Sequence, residues 1–217
     1  TLENKLNVWE IAVPTAMIGY GFLSIHNKGL QHFNEVVRDE LKGKSHIGLD
    51  DYLIYGPLTT DLILTIGGYD SKHSYIEKTG LYFVSTALNS ALVYPVKYFA
   101  KEERPDSSDY NSFPSGHTSN AFVGAEFFWQ EYKHRSKWLA MTGYIGAAAT
   151  GFLRIHNNKH WLSDIVAGAG FGILSTKLVY LLYSKFRKTN KIKDTTTIIV
   201  PLIKSPYIGI SLVHRLN

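Results

Sequence analysis

Apolar residues run along most of this chain in long blocks, and short polar clusters cut the blocks apart. The first block, Trp9 to Ile25, is apolar on nearly every side and carries Pro14 in its opening turns, which predicts a helix. From Leu30 to Leu41 the pattern narrows to one face, with Leu30, Phe33, Val36, Val37 and Leu41 at helical spacing. Gly43 to Gly48 reads as a loop. Asp50 then stands where it can cap a helix from Asp51 to Ile66, kinked at Pro57 and ended by Gly67-Gly68. A long, mostly apolar helix is predicted from about Glu77 to Phe99, with Pro95 bending or ending its last turns.

Beyond a polar loop, Lys101 to Pro114, three more helices are predicted: Ser115 to Tyr132, Ser136 to about Arg154, and His160 to Phe186. The small residues of GAAATG let the second of these pack closely, and IHNNK links it to the third. After the charged linker RKTNKIKD the period changes. TTTIIVPLI and YIGISLVH are short, β-branched and separated by KSP, the pattern of a hairpin or two edge strands. The expected fold class is therefore all-α, a multi-helix bundle with a short C-terminal β hairpin. One helical domain is expected over 1–187, and a linker with the β tail over 188–217.

Two stretches, Gly80 to Ala100 and Leu162 to Tyr183, approach the roughly 20 residues needed to cross a bilayer. Asn89 and Lys97 interrupt one, Asp164 and Lys177 the other, and the mean hydropathy of −0.08 is low for a chain built of membrane spans. Helices buried inside a soluble bundle are also apolar all round, so the soluble reading is the expectation. The 217 residues suffice for a real core, and the apolar and aromatic content excludes a disordered chain. The net charge of +5 suits an anionic partner, but the basic residues are scattered and nucleic acid is not expected. There is no cysteine, which removes disulfides and thiolate metal sites. TLENKLNVWE lacks a basic start followed by an apolar run, so an exported protein would already have lost its signal.

Three stretches carry groups that a phosphate would need. In KYFAKEERP, Lys97 offers a compact charge and Arg104 a planar fork for two oxygens. In FPSGH, Pro114 fixes the entry of the chain, Ser115 caps the next helix, and Gly116 lets backbone approach a ligand. The free N–H groups and positive dipole end of that helix favour an anion, and His117 beside them can protonate a leaving oxygen. In RIHNNKHWLSD, Arg154 closes one helix, while His160 and Asp164 stand four residues apart on the next. Asp164 can take the proton of one imidazole nitrogen and so aim the other as base or nucleophile. Each stretch alone also has an ordinary reading as solvated charge, a helix start or a stabilising i,i+4 pair. His156 and His160 span a turn without a neighbouring acidic cluster, so no metal site is expected. His26, His32, His46, His73, His134 and His214 have no partner pattern and read as structural or surface residues.

Taken in order, Lys97-x6-Arg104-Pro105, Pro114-Ser115-Gly116-His117 and Arg154-x5-His160-x3-Asp164 resemble the three-part signature of the type 2 phosphatidic-acid phosphatase superfamily, which includes class A acid phosphatases and vanadium-dependent haloperoxidases. The helical context extends the resemblance to about residues 79–186. One departure is Leu153, where the family usually has Ser before the arginine. The resemblance implies that His160 attacks phosphorus, that Asp164 orients it, and that His117 protonates the leaving alcohol and then activates water. Lys97, Arg104, Arg154, Ser115 and the backbone N–H of Gly116 would hold the phosphoryl oxygens. No metal or other cofactor is implied, although vanadate can occupy such a seat.

The expected activity is hydrolysis of a phosphate monoester or a diphosphate. The substrate is either a phosphorylated lipid (phosphatidic acid, phosphatidylglycerol phosphate, a polyprenyl diphosphate or lipid A) or a soluble phosphate taken with broad specificity. The competing readings are a vanadate-dependent haloperoxidase and a non-catalytic phosphate- or lipid-binding module. A periplasmic or otherwise exported location and contact with a membrane surface follow from the resemblance.

Overall fold

The computed structural model describes residues 8–191, 197–204 and 207–214, with side chains described through 187. Its helices are α1 (Val8–His26), α2 (Lys28–Leu41), α3 (Asp50–Leu53), α4 (Gly56–Ile66), α5 (Tyr75–Ala100), α6 (Gly116–Tyr132), α7 (Lys137–His156) and α8 (Leu162–Lys191). Strands β1 (Thr197–Lys204) and β2 (Tyr207–His214) pair antiparallel, from Thr197 opposite His214 to Lys204 opposite Tyr207. The chain divides into two compact units, one ending at Tyr180 and the other beginning at Leu181. The all-helical bundle and the β hairpin are both as expected.

The helix starts follow local chemistry. Ser74 and Glu77 form a reciprocal capping box that opens α5. The Ser115 hydroxyl accepts the N–H of Thr118 to open α6, and Ser136 does the same with Leu139 for α7. Three details depart from the sequence reading. The helix expected from Asp51 to Ile66 is broken in two, with Pro57 in the first turn of α4. Asp50 does not cap it; it lies inside α3, buried, with its carboxylate spent on another helix. The last helix begins at Leu162, not at His160, so His160 stands in the connecting loop.

α6 is the most enclosed helix. Ala121, Ala125, Phe127, Phe128 and Tyr132 are buried, and Ala121 and Ala125 pack against Ala147 of α7. Glycines bring α8 close. A Cβ on Gly168 would lie 2.6 Å from the carbonyl of Ser115, and one on Gly172 would lie 2.2 Å from that of Ser119. A Cβ on Gly170 would lie 2.6 Å from the carbonyl of Pro14 in α1. The glycines of GAGFG are thus the contact surface that seats α8 against the mouth of α6 and against α1.

The expectation that apolar helices would be buried fails at the periphery. Ile66 of α4 is 78% exposed, Phe99 of α5 78%, and Trp138 of α7 84%, with Val84, Ile145 and Leu23 also exposed. α1 and the Leu162–Arg187 part of α8 are each long and apolar enough to cross a membrane. α2 is turned unexpectedly. Its polar Asn34 is buried, donating from Nδ2 to the Ser163 hydroxyl at 2.9 Å and accepting the Ser163 N–H at 3.2 Å. Phe33 and Val36, from the predicted apolar stripe, remain about half exposed.

Candidate active site

The site is built from helix ends. α7 ends in Arg154 and His156, and a turn through Asn157 and Asn158 leads to His160. Asn158 takes a left-handed φ of 56°, which asparagine tolerates better than most residues. The backbone N–H of His160 donates to the Arg154 carbonyl at 3.3 Å, so the turn folds back and holds the two residues together. His160 and Asp164 are both buried, and His160 Nδ1 lies 3.4 Å from Asp164 Oδ2. The pair therefore meets across the start of α8 rather than along one helical face.

That same carboxylate oxygen accepts the Ser112 hydroxyl at 2.5 Å and the Trp161 N–H at 2.9 Å. Asp164 Oδ1 is buried with no hydrogen-bond partner among the described residues. The N–H of Ser115 reaches the Asp164 backbone carbonyl at 3.1 Å, which ties the mouth of α6 to the first turn of α8.

The cations come from three directions. Lys97, near the end of α5, donates to the carbonyl of Asn111 at 2.5 Å. Arg104, in the loop, donates from Nε to Asp109 at 2.8 Å. Arg154 donates from Nη1 to Asp50 Oδ2 at 2.6 Å, while its Nε is buried without a partner among the described residues. Burial pushes the His160 imidazole well below its ordinary value, and the positive charges of Arg154, Lys97, Arg104 and His117 push it the same way. The charges of all four groups thus act on one buried ring, and together with burial they favour its neutral form.

His117 sits in the first turn of α6 with Nε2 2.9 Å from Asp51 Oδ1. Burial and the charge of Arg154 lower its proton affinity, and the carboxylates of Asp51 and Asp50 raise it, with a net lowering. The two imidazoles thus have different surroundings: His160 is enclosed and pressed by cations, while His117 is more exposed and faces a carboxylate. A Cβ on Gly116 would meet no protein atom, so packing does not demand glycine there. Leu153 is buried within the bundle.

Sequence reasoning missed Asp50, Asp51 and Ser112. Burial works against the Asp50 carboxylate, but its hydrogen bond to Arg154 and that residue's charge outweigh burial and hold it below the usual range. Asn157 fixes the segment carrying both aspartates, donating to Asp50 Oδ1 at 3.2 Å and to the Ile47 carbonyl at 2.9 Å. Nothing periodic marks these residues. The adjacent Asp50-Asp51 pair invites only a helix-start reading, and Ser112 is one serine among several in a polar loop. Among the described residues, no group of three or more His, Cys, Asp or Glu comes together to hold a metal ion.

Residues 78–188 match the sequence profile of the PAP2 superfamily. The chain is 40% identical over 142 residues to the lipid A 1-phosphatase of Porphyromonas gingivalis, a stretch that makes up 64% of this chain and 31% of that protein. It therefore spans about a third of the length of that relative. Among solved structures, it resembles a transmembrane PAP2-type phosphatidylglycerolphosphate phosphatase from Bacillus subtilis, with a TM-score of 0.55 and 20% identity over 80% of this chain and 96% of that one. Aquifex aeolicus LpxE is similar, with a TM-score of 0.54 and 21% identity over 69% of this chain and 95% of that one. These two likenesses establish a shared fold.

Proposed function

The chain belongs to the PAP2 superfamily, and from that premise we propose that it hydrolyses phosphate monoesters of lipids through a covalent intermediate on His160. The observation that supports this is a buried His160 held 3.4 Å from Asp164, tied by its N–H to the Arg154 carbonyl, and acted on by the charges of Arg154, Lys97, Arg104 and His117. Phosphoryl transfer needs little covalent machinery beyond a nucleophile; positioning and charge stabilisation supply most of the rate. The unpartnered Nε of Arg154 is a donor suited to a phosphoryl oxygen.

In the first step, His160 attacks phosphorus with the nitrogen turned away from Asp164 as the bond to the leaving oxygen breaks. Asp164 orients the ring and balances the charge it gains. His117 gives its proton to the departing alcohol. Water then attacks the phosphohistidine and His117 takes a proton from it, so orthophosphate leaves and both imidazoles return to their starting states. Lys97, Arg104, Arg154, Ser115 and the Gly116 N–H hold the three phosphoryl oxygens. Asp51 acts through His117, positioning it and favouring its protonated form. The steps use only these side chains.

The exposed apolar residues on α4, α5 and α7, with α1 and α8 long enough to span, support a bundle set in a bilayer with the helix ends around His160 at its surface. In that arrangement a lipid headgroup would arrive at the site. The test is a hydrolysis screen over lipid and soluble phosphates in detergent, with and without EDTA, alongside acid-quenched trapping of labelled phosphate. Label on the wild type and none on His160→Ala is expected. Label persisting on the variant, or EDTA-sensitive turnover, would overturn the mechanism.

A further inference from the structure

The residues that flank His160 in the chain are bound to the residues that flank Arg104. Lys159, just before His160, donates from Nζ to Asp106 Oδ2 at 2.5 Å, two residues after Arg104. Trp161, just after His160, donates from Nε1 to the carbonyl of Glu103, just before Arg104, at 2.9 Å. A third tie follows further along both segments, where the Ser112 hydroxyl donates to Asp164 at 2.5 Å. The turn that carries the imidazole and the loop that carries the guanidinium are therefore joined on both sides of the two functional side chains.

The loop is closed on itself, so a hold on its flanks reaches Arg104. The Arg104 N–H donates to the Asp109 carbonyl at 3.0 Å, and the Ser107 N–H to the Arg104 carbonyl at 2.9 Å. Asp109 Oδ1 accepts from Arg104 Nε at 2.8 Å and from the Asn111 N–H at 2.7 Å. At the base, the Ser112 N–H donates to the Glu102 carbonyl at 3.0 Å. A loop bonded in this way moves as a unit. The other end of the clamp is also fixed: the Arg38 guanidinium lies 5.3 Å from the centroid of the Trp161 ring. The Lys159 and Asp106 side chains keep 31% and 22% of their exposure. Burial works against the Asp106 carboxylate, but the hydrogen bonds from Lys159 and Ser108 outweigh it and bring it down to about 2, so the pair is ionic. One partly exposed ion pair and one hydrogen bond add little to stability. Their contribution is geometric, and a catalytic charge displaced by about 1 Å can cost about a hundredfold in rate.

We propose that Lys159 and Trp161 are positioning residues. With Asp106 and the Glu103 carbonyl they form a two-point clamp that fixes the Arg104 guanidinium relative to His160, so that both act on the same phosphoryl group. This rests on the phosphatase reading above and adds residues that act through Arg104 and do not touch the substrate. A shift of the His160 turn carries the Arg104 loop with it, and the spacing between nucleophile and cation is preserved. Lys159 is spent on Asp106, which sets it apart from Lys97, Arg104 and Arg154 as a tether and not a further phosphate ligand.

The experiment uses the full chain in detergent micelles, with phosphatidic acid and p-nitrophenyl phosphate as substrates and orthovanadate as the titrant in calorimetry. Lys159→Met, Asp106→Ala and Trp161→Phe should each lower kcat/KM about tenfold on both substrates and weaken vanadate binding to a similar degree, while Tm moves by less than about 2 °C. Arg104→Ala should cost more than any of these, and adding Lys159→Met to it should cost less than about twofold further, because the clamp then has nothing to position. Exchanging the charges, Lys159→Asp with Asp106→Lys, should regain about fivefold over Lys159→Asp alone. Full additivity of Lys159→Met with Arg104→Ala would overturn the clamp, as would an exchange that regains nothing. A loss on Lys159→Met with none on Asp106→Ala would also overturn it and make Lys159 a substrate contact. A fall in Tm of many degrees in the three single variants would reduce the clamp to ordinary structure. If wild type hydrolyses neither substrate, the phosphatase reading falls, while the vanadate titrations still decide the clamp; wild type that binds no vanadate overturns both.

Discussion

The two ends of the helical bundle both bury charge, but they treat it differently. At the end away from His160, Lys78 donates to Asp61 at 2.7 Å and to Thr65 at 2.6 Å, and Tyr132 donates to the same aspartate at 2.8 Å. Glu131 is met by His73 at 2.7 Å and by Tyr180 at 2.6 Å. Glu126 is met by Lys177 at 3.0 Å, by Gln130 at 2.6 Å and by Tyr144. Each charge there has an opposite charge or several donors. At the His160 end, Arg154 and Asp164 each keep a buried polar atom without a partner among the described residues, and His160 sits 3.4 Å from its carboxylate. Buried polar groups are normally satisfied, because desolvating them unpaired is costly. The distal network therefore reads as structure, and the incomplete one as a site that a ligand completes.

The comparison is broken most strongly by separating activity from stability. Replacing His160 with Ala should lower kcat by at least about a thousandfold, since it removes the proposed nucleophile. Because His160 carries none of the distal network, Tm should move by only a few degrees. A fall in Tm matching that of a core deletion would mean that the catalytic end also holds the fold together. Lys78→Met should do the reverse. It leaves Asp61 buried without its cation, at a cost of about 3–5 kcal/mol in denaturant titration, while turnover per folded molecule stays unchanged.

A smaller effect tests the seam between α6 and α8. Gly168→Ala places a methyl 2.6 Å from the Ser115 carbonyl, so the helices must part, at about 1–3 kcal/mol and with a loss of kcat/KM from displacement of the α6 mouth. Gly146→Ala on α7, whose Cβ would meet nothing, is the matched control and should be silent.

The smallest effect is on the pH profile. Asp51 raises the proton affinity of His117 against burial and Arg154. Asp51→Asn should therefore lower it further. In its proposed role His117 acts as an acid only while protonated, so activity should be lost as pH rises through its titration. The alkaline fall of kcat/KM should move to lower pH in the variant, with the folded fraction unchanged. A fall that stayed in place would remove His117 or its partner from the acid role.

Much of this was legible in the sequence. The helix starts at Ser115 and Ser136 are set by neighbours within one turn, and the spacing of Lys97, Arg104, His117, Arg154, His160 and Asp164 could be read directly. Asp50 and Asp51 could not. Their partners, Arg154 and His117, lie 104 and 66 residues away, and only the stitching of Ile47 and Asn157 brings them within reach. The orientation of α2 was not legible, for a similar reason. Its stripe of Leu30, Phe33, Val36 and Val37 is amphipathic as expected, but periodicity gives two faces without saying what lies against each. The exposed apolar positions of α4, α5 and α7 were likewise invisible, because an all-round apolar helix looks the same facing a core or facing lipid.

By itself, the sequence determined local structure and chemical identity, because capping, period and residue type act over a few neighbouring positions. Only the tertiary structure decided which face of α2 turns inward, which carboxylates meet the arginine and the second imidazole, and which buried charges are left incomplete. Those outcomes depend on contacts between residues far apart in the chain, and such contacts are fixed when the helices pack.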